Sequence, residues 1–119
     1  MSKHILIIED DADSRILYSE IAQSVGMTVS EAGDGESALE SLQDGLPDLV
    51  ILDLTIPQFD PMDFVNELRQ KSGSRKIPVI VISGKEDVAN SSAKIGAEAY
   101  LKKPIELDDI FELLNKWAD

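Results

Sequence analysis

Cysteine is absent from this 119-residue chain, which excludes disulfides and thiolate metal sites and fits a reducing compartment. Long apolar runs are missing too. No stretch approaches the ~20 residues of a membrane-spanning helix, and Met1-Ser2-Lys3-His4 leads straight into a β-prone segment without a signal-peptide pattern. A cytoplasmic location without membrane attachment is therefore expected. Positive charge is scarce, with 11 Lys and Arg against 23 Asp and Glu and a formal net charge of -12. Affinity for DNA comes largely from cations that neutralise phosphates, so direct nucleic-acid binding would need another domain. No glycine-rich loop follows the first apolar run, which argues against a nucleotide cradle. What remains is ordinary globular composition, 43% hydrophobic and 29% charged, in one domain over residues 1–119 that buries roughly two-thirds of its unfolded surface.

Residues 5–8, 49–52 and 79–82 are continuously apolar and rich in Ile and Val, the pattern of strands covered on both faces. They are predicted to be central. Segments 27–32 and 97–102 are strand-like but more polar, which suits sheet edges. Helical patterns fill the gaps. Ile16, Leu17, Ile21 and Val25 predict one stripe behind an N-cap at Asp11 or Asp13; Ala38, Leu39 and Leu42 predict a second, and Phe64, Val65 and Leu68 a third. The last helix has Ile110, Leu113, Leu114 and Trp117 at i, i+3, i+4 and i+7, with Phe111 widening the stripe. The fourth, about 86–95, has only Val88 and Ile95 as large apolar residues and is expected to be loosely held. Strands and helices alternating five times predict an α/β doubly wound parallel sheet with the second and fifth strands outermost.

The polar residues at the ends of these runs carry the chemistry. Glu9 and Asp10 follow the first run, Asp53 the second and Ser83 the third, while Lys103-Pro104 follows the last strand-like segment. In an open parallel sheet, ligands sit outside the carboxyl ends of the strands. Two like charges ~4 Å apart repel by roughly 1 to 4 kcal/mol, and a hard divalent cation such as Mg²⁺ offsets that with oxygen ligands. A carboxylate there can attack phosphorus to give an acyl phosphate, with Lys103 and Ser83 positioned to bind phosphoryl oxygens. Ordinary readings stand beside these: the acids as helix caps, Asp53 as the start of an Asx-turn, Ser83 with Glu86 as a capping box. The Lys103-Pro104 bond is expected to be cis, fixing the backbone that aims the lysine.

Ile7-Ile8-Glu9-Asp10, Asp48-Leu49-Val50-Ile51-Leu52-Asp53 with Pro57, Pro78-Val79-Ile80-Val81-Ile82-Ser83, Gly96-Ala97 and Tyr100-Leu101-Lys102-Lys103-Pro104 together resemble a receiver domain of the two-component response-regulator family, over the full length. The resemblance implies the flavodoxin-like strand order 2-1-3-4-5 with five helices. It implies that Asp53 is the phosphoacceptor, that Glu9, Asp10, Asp53 and the Thr55 backbone carbonyl hold Mg²⁺, and that Ser83 and Lys103 bind the phosphoryl group. Tyr100 matches the aromatic that turns when the hydroxyl is drawn toward phosphate. Implied partners are a histidine kinase or phosphotransfer protein and a downstream effector, with dimerisation on phosphorylation left open. Such a chain is no turnover enzyme, beyond its own phosphorylation and slow dephosphorylation.

Asp60-Pro61 stands where the family usually has an acid followed by glycine, and reads as N-cap and N1 of the third helix, with Asp63 at N3. Two other readings are weighed. A haloacid-dehalogenase-like phosphatase also pairs an aspartyl nucleophile with Mg²⁺ but wants a second acid where this chain has Thr55. A degenerate receiver that only binds proteins would not keep all of Glu9, Asp10, Asp53, Ser83 and Lys103.

Overall fold

The computed structural model describes residues 3–118. The elements alternate as β1 (His4–Ile8), α1 (Ala12–Ser24), β2 (Thr28–Ala32), α2 (Gly35–Ser41), β3 (Leu49–Asp53), α3 (Pro61–Ser72), β4 (Val79–Ser83), α4 (Val88–Ile95), β5 (Ala99–Lys102) and α5 (Leu107–Trp117). All pairings are parallel, in the order β2-β1-β3-β4-β5. The expected architecture is present. The three Ile/Val runs form the central strands and are fully buried across β3 and β4.

Successive side chains of a strand point to opposite faces, so each central run feeds two cores. Leu6, Ile8, Val50, Leu52, Val79 and Val81 pack with α2, α3 and α4. Ile5, Ile7, Leu49, Ile51, Ile80 and Ile82 pack with α1 and α5. At the amino edge, the His4 ring bridges β1 to β2 through Thr28 Oγ1 and Ser30 Oγ, each 2.7 Å away.

Several details depart from expectation. Asp11 caps α1, accepting from the Ser14 N–H at 2.9 Å, and Asp13 lies within the helix. The face of α1 that meets the sheet is Tyr18, Ser19 and Ala22, with Ile21 and Val25 beside it; Ile16 and Leu17 are exposed. Leu39 and Phe111 also point outward. An apolar residue adjacent to the buried row fits the helical period without reaching the core, so Phe111 does not widen the packed stripe of α5. Met27 and Ala97 precede their strands, and α4 begins at Val88 rather than near Glu86. No capping box forms: Ser83 ends β4, its Oγ accepts from the Lys85 N–H at 3.1 Å, and Glu86 is solvent-exposed beside Lys102. Asp60 and Pro61 do serve as N-cap and N1 of α3.

Candidate functional site

Parallel strands deliver their final residues to one rim. Glu9 lies one residue past β1, Asp53 ends β3 and Ser83 ends β4, and all three are buried. Asp10, the next residue along, is exposed. Glu9, Asp10 and Asp53 each offer a carboxylate oxygen within 4.8 Å of the others.

Lys103 lies just past β5, and its peptide bond to Pro104 is cis. Its Nζ donates to Glu9 Oε1 at 2.7 Å and to Asp53 Oδ2 at 3.1 Å. On the other oxygen, Asp53 Oδ1 accepts from the Thr55 N–H at 3.0 Å and from the Thr55 hydroxyl at 2.8 Å. The Asp53 carboxylate is thus held at both ends. Ser83 stands one residue beyond Ile82, the register partner of Asp53 on the neighbouring strand. Tyr100 lies on edge strand β5 with its ring half exposed.

Two buried acids facing one ammonium leave a negative charge in excess. Burial, with the neighbouring Asp53, pushes Glu9 up to about 7, although Lys103 pulls the other way. Burial also works to raise Asp53, but the closeness of Glu9, the hydrogen bonds from Thr55 and the Lys103 charge outweigh it and hold Asp53 below its usual 3.8. Burial opposes the charge on Lys103, and the two carboxylates raise it well above its ordinary value.

Glu9 Oε2 is buried and has no hydrogen-bond partner among the described residues. An orphaned buried acceptor costs about 1–3 kcal/mol. An all-oxygen cluster with one unsatisfied carboxylate oxygen is the donor set that Mg²⁺ takes, usually through one or two carboxylates with several waters retained. The residues present therefore fit the ion.

Two contributors were missed from the sequence. Arg15 donates from Nη1 to the Glu9 backbone carbonyl at 2.8 Å and from Nε to Glu31 Oε1 at 3.1 Å, tying the acid-bearing loop to β2. Helical side chains lean back toward the N-terminus, and that lean from the first turn of α1 was the available signal. The Thr55 hydroxyl was the second, visible only as a donor two residues from the acid.

A flavodoxin-like sheet with an acid cluster and a lysine on its carboxyl rim defines the class, a doubly wound domain with a rim site. The family model described as the response regulator receiver domain matches residues 5–115, and the chain belongs to that family. The chain is 31% identical over 117 residues to the chemotaxis protein CheY of Thermotoga maritima, covering 98% of each. It is 28% identical over 117 residues to sporulation initiation phosphotransferase F of Bacillus subtilis, covering 98% of this chain and 94% of that one. The solved structure of chemotaxis response regulator CheY4 of Vibrio cholerae superposes with a TM-score of 0.86 at 24% identity, covering 98% of this chain and 99% of that one, which speaks to the fold. Receiver domains are signalling switches rather than turnover enzymes; they bind Mg²⁺ at an acidic pocket and work with histidine kinases and effector domains. Among the described residues, no helix is long and apolar enough to cross a membrane.

Proposed function

We propose that this chain is a phosphorylation-dependent switch of a two-component system, with Asp53 accepting a phosphoryl group from a histidine kinase or phosphotransfer protein. The observation that supports it most is the Lys103 ammonium shared between Glu9 and Asp53 beside the unsatisfied Glu9 Oε2. Glu9, Asp10, Asp53 and the Thr55 carbonyl would hold Mg²⁺, which supplies neutralising charge for phosphoryl oxygens.

An Asp53 carboxylate oxygen attacks phosphorus. The O–P bond forms as the P–N bond to the donor imidazole breaks, and the leaving nitrogen takes the electron pair. Thr55 and Lys103 fix the carboxylate for that attack, which limits the reorganisation it needs. Lys103 then binds a phosphoryl oxygen, and the Ser83 hydroxyl donates to another.

Ser83 Oγ accepts from the Lys85 N–H before phosphorylation, so drawing the hydroxyl inward moves the loop that leads to α4. Tyr100 follows, and the α4-β5-α5 face changes for a downstream effector or for a second copy of the chain. Reversing a 1:99 population takes roughly 5.5 kcal/mol of preference for the phosphorylated form. Incubation with Mg²⁺ and acetyl phosphate tests the reading. One phosphoryl group per chain, abolished by Asp53→Asn, is expected; repeated turnover of a phosphoester would instead assign the aspartyl phosphatase class. Absence of labelling, with partner binding intact, would assign a degenerate receiver.

A further inference from the structure

A groove of about 360 Å³ lies between the start of α3 and the side of α4, next to the acidic rim but outside it. Leu54, Phe59, Met62 and Ile95 line it, and Lys85 and Lys94 also border it. Its two sides differ in stiffness. Phe59 packs tilted against Phe64 at 6.2 Å and lies so close to Gly35 that a Cβ there would meet it at 2.5 Å. Pro61 stiffens the adjoining turn. Opposite, α4 has eight residues, no side-chain cap at its start and few large apolar anchors.

The charge of this groove runs against that of the molecule. The chain carries a net charge of -12, yet neither Lys85 nor Lys94 has a carboxylate within ion-pairing distance among the described residues. Asp60, the acid at the groove, is engaged in capping, accepting from the Met62 N–H at 2.9 Å. Met62 is 40% exposed, and methionine adapts its shape to apolar partners.

We propose that the α3–α4 groove docks a partner protein's segment in which an apolar side chain is flanked by carboxylates. The apolar anchor fills the pocket bordered by Leu54, Phe59 and Met62, and the carboxylates pair with Lys85 and Lys94. Lys94 lies in the last turn of α4 and Lys85 three residues before its first, at opposite ends of a helix about 12 Å long at ~1.5 Å per residue. That span favours an extended or helical peptide over a compact anion. The proposal goes beyond phosphoryl transfer, since every feature it uses is present in the unphosphorylated chain.

The test is therefore run without Mg²⁺ or phosphodonor, so that its failure leaves the Asp53 reading untouched. A random 12-residue peptide library is panned on the full chain, and selected peptides are measured by fluorescence anisotropy. Expected sequences place Leu, Phe or Trp among Asp and Glu. Lys85→Glu with Lys94→Glu, and separately Met62→Lys, should weaken binding by about tenfold or more, the loss of an interface anchor. Ile16→Ala, on α1 across the sheet, should leave it unchanged. All exchanged side chains are at the surface, and circular dichroism checks the fold of each variant. Selected peptides without acidic residues, binding indifferent to both groove variants, or no binder at all would overturn the proposal. So would capture of a free acid such as 4-phenylbutyrate in the groove while no peptide binds there.

Discussion

Lys103 is the only cation bonded to both Glu9 and Asp53 among the described residues, so Lys103→Met leaves two buried acids facing each other. Breaking a buried ion pair from one side costs on the order of 3–5 kcal/mol, and here the loss should appear as a lower Tm. Adding Mg²⁺ should raise the Tm of Lys103→Met more than that of the wild type, because a divalent cation replaces the missing charge. Equal shifts would count against a metal at this cluster. A second expectation concerns Arg15, whose guanidinium holds the Glu9 carbonyl. A Cβ on Gly33 would meet Arg15 Nη1 at 2.9 Å, and the flexible side chain would yield first. Gly33→Ala should therefore weaken Mg²⁺ binding in the same direction as Arg15→Ala, measured by titration calorimetry. The acids, the hydroxyl and the lysine were legible because each ends a β-prone run. Arg15 and the Thr55 hydroxyl were not, because their roles depend on where a side chain turns after the backbone is placed.

Caps and apolar anchors together set α4 apart: α4 and α5 both begin without a side-chain cap, but in α5 Leu113 and Trp117 pack beside the buried Ile110 and Leu114. Asp11 and Asp34 cap α1 and α2, and the hydrogen bonds that each accepts from Ser14 and Ser37 hold their acids below the ordinary 3.8. A carboxyl held low in the folded state adds stability that is present above its unfolded value and lost as pH falls through the folded one. Acidification from 3.8 downward should therefore free the Ser14 and Ser37 amides, read by amide proton exchange. Asp87 precedes α4 without a side-chain bond. Full burial of a large apolar side chain contributes about 1.5–3 kcal/mol, and α4 has Val88 and Ile95 where α3 has Phe64, Val65 and Leu68. Amides of α4 should exchange faster than those of α3 and α5; equal protection would remove the basis for a mobile α4. The shortage of large apolar anchors in α4 was readable from its Ala and Ser content. The capping box, the alternative reading of Ser83 and Glu86, does not form because Ser83 belongs to β4, and a residue completing a strand has its backbone committed before any helix can begin.

At the scale of the molecule, 23 acidic side chains against 11 basic ones make the folded state repel itself. Raising NaCl from ~0.1 to ~1 M shortens the screening length from ~10 to ~3 Å. Tm should rise with salt, and a fall would mean that surface ion pairs such as Lys76–Glu98 outweigh the net repulsion. The sheet was legible as a whole because three uninterrupted Ile/Val runs leave only the two more polar ones for the edges. Strand direction has one more outcome. Lys3 and Trp117 border the same small cavity beside Asp48, one register step from the amino end of β1, whereas Asp53 lies at the opposite pole, on the order of 15 Å along the strands at ~3.3 Å per residue. A dye, surface tether or fused reporter attached next to either residue would hang from the underside of the molecule, leaving the upper rim clear for a visiting donor.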